Sequence, residues 1–104
     1  MKIIKRLSEM ISEEIADADK YITCALKYKD ENQELAKMFF NLSVEEMGHM
    51  DILHSHVSTL ISDYREEHGD PPPAMMAVYD YLHEQQIENA ASVKAKQLLY
   101  KESQ

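Results

Sequence analysis

Between Leu35 and Leu60 an apolar residue recurs every three or four positions: Leu35, Phe39, Leu42, Leu53 and Leu60, with Glu46 and His49 set into the same row. Steps of three and four are the rhythm of an α-helix packed along a seam. Residues three apart share a helix face, so Glu46 and His49 point the same way. A carboxylate and an imidazole in an apolar row are costly unless they are paired or hold a metal. A Glu-x-x-His pair on a bundle helix is also a recurring half of a carboxylate-bridged two-metal site. What the rest of the chain can place opposite that pair decides its role.

Upstream, Ile4, Leu7, Ile11, Glu14, Ala18, Tyr21, Ala25 and Tyr28 step in the same way, and Glu14 alone breaks the apolar run. Ile3, Met10, Ile15, Ile22 and Cys24 widen that face, which makes Cys24 a core residue. A helix over 3–29 follows. Asp30-Glu31-Asn32 form a short turn, with Asp30 and Asn32 as rival N-caps for a second helix over 33–67. That helix has a further row, Ala36, Phe40, Met47, Met50, His54, Val57 and Ile61, which implies contact with more than one neighbour. Gly69 suits a helix C-cap and Pro71-Pro72-Pro73 cannot continue a helix, so 69–73 is a linker. A third helix spans 74–101 with a blurred apolar pattern. The expected fold is all-α, a single domain over 1–104: a long antiparallel hairpin plus a third helix.

Composition narrows the partners. The formal charge of −8 disfavours nucleic acid and anionic membrane surfaces, and it suits a protein that attracts cations. No run approaches the length of a membrane span. The opening Met1–Arg6 runs into an amphipathic pattern and not an apolar leader. A single cysteine makes no internal disulfide and fits a reducing, cytoplasmic setting. Two glycines in 104 residues fit long helices with few turns, and a core this small often gains stability by association.

Hairpin arithmetic brings the row-breaking polar residues together. In an antiparallel hairpin, residues at one level are equidistant from the turn. Glu14 and Glu46 have their midpoint at position 30, and Glu14 and His49 have theirs between 31 and 32, all inside the turn. The three should meet about 25 Å from the hairpin end at ~1.5 Å rise per residue. One hairpin thus offers two carboxylates and an imidazole, half of what a two-metal bundle site needs. A second copy about a two-fold axis would supply the rest. Carboxylate oxygens with a minority of imidazole suit iron or manganese, or adventitious zinc, better than a thiolate-seeking metal.

Glu14 followed by Tyr21, Ala25 and Phe39, and then Glu46-x-x-His49, resembles the first half of a rubrerythrin or ferritin-like four-helix domain. It is also similar to the half-length encapsulated ferritins, whose metal sites form between two chains. The resemblance spans roughly Ile11 to Leu60. It implies Glu14, Glu46 and His49 as ligands of two iron ions per homodimer, a ferritin-like four-helix bundle formed on dimerisation, and oxidation of ferrous iron by oxygen or peroxide. Tyr21 would be a hydroxyl just beyond the ligands, or simply seam packing. The chain departs from that pattern in having no fourth helix, no second Glu-x-x-His and no Cys-x-x-Cys module. Its final residues, Leu98–Gln104, do not look like an encapsulin-targeting tail.

The other candidates have plainer readings. His56 reads as a core or interface histidine, and His54 as a contact to a partner helix. His83, Glu84 and Glu88 read as surface or inter-subunit polar residues, and Met47 and Met50 as packing. Against the iron reading stands a non-catalytic helical association module whose buried Glu/His level only sets register.

Overall fold

The apolar stepping resolves into three α-helices in a computed structural model that describes residues 2–104. Helix α1 runs Lys2–Tyr28, α2 Gln33–His68 and α3 Pro73–Glu102, with no strand among the described residues. They lie side by side in a rod measuring 55 × 19 × 18 Å. No helix is long and apolar enough to cross a membrane.

The α1–α2 turn is closed by backbone bonds. The N–H groups of Glu31 and Asn32 both donate to the Tyr28 carbonyl, at 3.1 and 2.9 Å. Asn32 is extended, at φ −153° and ψ 96°, and its side chain accepts from the Leu35 N–H at 3.1 Å. Of the two rival caps, Asn32 therefore does the work, because its side chain reaches a donor in the first turn that has no partner inside the helix. At the far end Gly69 takes φ 78°, and its N–H closes on the Arg65 carbonyl at 3.0 Å. Pro73 then starts α3, one residue earlier than expected from the pattern, since a first-turn position has no use for the missing N–H.

The α1 stripe buries Ile4, Ser8, Ile11, Ile15, Ala18, Ile22 and Ala25 between the other two helices. Small residues let the two backbones approach: Ala18, Ala25, Ala36 and Ser43 are all fully buried, and the Ser43 hydroxyl donates to the Ala18 carbonyl at 2.8 Å. Ile22 and Val57 are also fully buried, and each such aliphatic side chain contributes roughly 1.5–3 kcal/mol.

Helix α3 returns along the hairpin, chiefly on α1. The Gln86 amide donates to the Ser8 carbonyl at 3.0 Å and to the Ser12 hydroxyl at 3.0 Å, and Lys96 pairs with Asp19 at 2.7 Å. On the α2 side Tyr100 stacks on Phe40 with ring centres 4.9 Å apart, and Gln97 donates to Ser43 at 3.0 Å. This docking decides which row of α2 is core. Ala36, Met47, Met50, Val57 and Ile61 are buried, whereas Leu35, Phe39, Leu42, Leu53 and Leu60, the row of Glu46 and His49, are only half-buried along one flank. The row that stands out in the sequence is thus the outer edge of the chain's own core.

Candidate metal centre

Glu14, Glu46 and His49 lie at one level of the hairpin, as the midpoint arithmetic requires. One ligand atom from each falls within 4.8 Å of the others. The His49 Nδ1 stands 3.6 Å from a Glu14 oxygen and 3.7 Å from a Glu46 oxygen. These separations exceed hydrogen-bond length and leave space between the groups. Helix periodicity supplies the pair on α2. The close α1–α2 approach at Ala18 and Ser43, one turn from Glu14 and Glu46, sets the distance across.

The groups are unevenly exposed. The Glu14 and Glu46 side chains are 24% and 19% exposed, and that of His49 is 57% exposed. The level therefore does not sit inside an enclosed interface of one chain. It lies on the flank that α3 leaves open, which is why His49 reaches solvent. Even so, Glu14 Oε2 is buried and has no hydrogen-bond partner. A carboxylate oxygen so placed is missing a cation or a proton.

The neighbouring Glu46 is itself pushed towards its protonated form. A hydrogen bond to Glu14, which only the protonated acid can donate, acts with burial and with repulsion from Glu14 and Asp17 to raise its pKa from 4.5 to about 7. The neighbouring His49 pulls the other way. A bound cation would displace that proton and satisfy both carboxylates. Hard oxygens with one imidazole fit iron, manganese or zinc, so the side chains present fit the implied metal. Asp17, half-buried one turn beyond Glu14, adds negative potential here. Sequence reading passed over it, although Glu14-x-x-Asp17 repeats the one-turn spacing of Glu46-x-x-His49.

Tyr21 stacks on Phe39 with ring centres 6.3 Å apart, and Phe39 stacks on Tyr28 at 6.2 Å. Tyr21 therefore packs in the seam. Cys24 is half-buried and not core, because it lies on the edge of the α1 stripe. His56 is exposed and not packed, since it shares the open flank with His49. His54 makes a contact with another helix, and its partner is His83, expected at the surface or between subunits. Glu84 and Glu88 are exposed and do not belong to the Glu14 group. Gln86 and Ser8, buried polar residues that hold α3 on α1, were missed, although Ser8 is the one polar member of the Ile4–Ala25 stripe and Gln86 is in step with Ala90, Val93 and Tyr100.

Comparison with protein-family models, with curated proteins and with solved structures finds no match to this chain.

Proposed function

We propose that the chain is a carboxylate metal-binding protein of ferritin-like type, in which two copies pair to form a four-helix bundle and hold two iron ions between them. The observation that carries this reading is the meeting of Glu14, Glu46 and His49 within 4.8 Å, with a buried Glu14 oxygen left unpartnered. Support for the second copy comes from the flank around them, where Leu35, Phe39, Leu42, Leu53 and Leu60 are half-exposed. Among the described residues α3 adds no ligand to the group, so a single chain offers two carboxylates and one imidazole. In this reading Glu14, Glu46 and His49 of each chain would hold the metal, which would supply the redox chemistry. Ferrous iron is the substrate, and it gives up electrons to oxygen or peroxide.

The residues' own part is electrostatic. Glu14, Glu46 and Asp17 concentrate negative charge where a cation arrives, and Glu46 releases its proton as the cation binds. A second reading rests on the same raised Glu46 pKa. A carboxyl pair that shares a proton can set the register of a dimer with no metal at all.

Titration with ferrous iron under anaerobic conditions separates the two. The expected result is two ions per dimer, lost when Glu46→Ala and His49→Ala are combined. A dimer that stays intact and takes up no iron, manganese or zinc would leave only the register role. Oxygen admitted to the loaded protein should then yield ferric iron at least about a hundredfold faster than iron in buffer, as catalysis by positioned groups requires.

A further inference from the structure

Away from the Glu14 level, two more imidazoles face each other across helices. His54 on α2 and His83 on α3 bring their Nε2 atoms to 3.1 Å, and both side chains are half-buried. They lie on a cleft of about 310 Å³ whose walls include Ile11 of α1, Met50 and Asp51 of α2, and Lys94 of α3. Tyr79 stacks against His83, 17° from parallel with ring centres 5.7 Å apart, and so holds that ring in place.

Two readings of such a pair are a shared proton and a shared metal ion. Two imidazole nitrogens that each bind one ion at ~2.0–2.1 Å are about 2.9 Å apart at a right angle and about 3.4 Å apart at the tetrahedral angle. The observed 3.1 Å lies inside that window. The rings are 18° from parallel with centres 5.0 Å apart. An end-on N–H···N bond between coplanar rings would leave the centres farther apart, so at least one lone pair points off the line joining the nitrogens. That is the arrangement a chelated ion needs.

We propose that His54 and His83 form a second metal site, distinct from the Glu14 centre, that takes one late transition ion such as zinc, nickel or copper(II). Paired neutral imidazoles prefer these ions to the hard cations that carboxylates favour. Water fills the remaining positions. Asp51 lends the cleft a negative charge, and Lys94 offsets it from the opposite wall. The ion would act as a rivet. Helix α3 touches α2 far less than it touches α1, and a metal held by one ligand from each helix ties them directly.

The test uses the full chain with Glu14→Ala, Glu46→Ala and His49→Ala together, which removes the first centre and makes the result independent of the iron reading. Zinc chloride is the probe, followed by calorimetric titration and by thermal unfolding. One zinc per chain is expected, with an unfolding midpoint raised by roughly 10 °C at a hundredfold excess over Kd. Adding His54→Gln or His83→Gln should weaken binding by at least about tenfold while the helical circular dichroism stays unchanged. Should either variant unfold, imidazole nitrogen resonances recorded with zinc in the folded triple variant give the same answer: those of both His54 and His83 must shift. The proposal is overturned if the triple variant takes up no zinc, if uptake survives both glutamine substitutions, or if the shifted signals belong to His56 or His68.

Discussion

Glu46 and Glu14 are two acids packed where one negative charge is tolerable and two are not. Because the folded chain raises Glu46 from 4.5 to about 7, it holds a proton over that range that the unfolded chain has released. Stability linked to this group is therefore full below about pH 4.5 and declines as the pH rises through about 7. In the presence of a chelator, urea midpoints measured at about pH 5 and about pH 8 should show that decline. Glu46→Gln should flatten it and leave the chain more stable than its parent at the higher pH. Equal pH dependence in parent and variant would show that the Glu14–Glu46 contact carries no such strain. The residue identities and their convergence were legible in the row-breaking pattern. The proton was not, because it depends on a distance across two helices and on Asp17, which breaks no row.

At the scale of the element, α2 is the unusual piece. It runs 36 residues and carries Gly48 in its middle. A β-carbon built at Gly48 meets nothing within 4 Å. Glycine inside a helix costs about 0.5–1 kcal/mol relative to alanine. Gly48→Ala should raise stability by about that much, read as a higher denaturant midpoint with an unchanged slope. A loss of stability would mean that a partner backbone lies against this position in the assembled protein. Helix limits could be read closely because their signals are local: Asn32, Gly69 and the prolines act through their immediate neighbours. The docking of α3 could not. Its apolar residues surround the helix, and the docked row of Ala90, Val93 and Tyr100 is interleaved with Gln86 and Gln97, whose polarity reads as surface.

For the whole molecule, the half-exposed apolar flank ties the proposed metal centre to the proposed pairing of two chains, so the two should be lost together. Leu53→Asp places a charge on that flank, one turn beyond His49, at a half-buried side chain that also packs against the chain's own core, so the helical circular dichroism of the variant is compared with its parent. The variant should keep its helical circular dichroism, sediment as a monomer and lose at least about tenfold in iron affinity, because one chain's ligands are too few. Full iron uptake by a helical monomer would show that the second copy contributes nothing to the centre.

Periodicity, caps and breakers by themselves determined three helices, their limits to within a residue or so, and the level at which Glu14, Glu46 and His49 meet. These are consequences of a fixed rise per residue and a short turn, which leave a hairpin only one register. Which row becomes core and which becomes flank was decided by the tertiary structure alone. Both rows of α2 are apolar enough to be buried, and only the docking of α3 covers one of them. The same docking brings His83 to His54, a contact between residues 29 apart in sequence that neither helix specifies by itself.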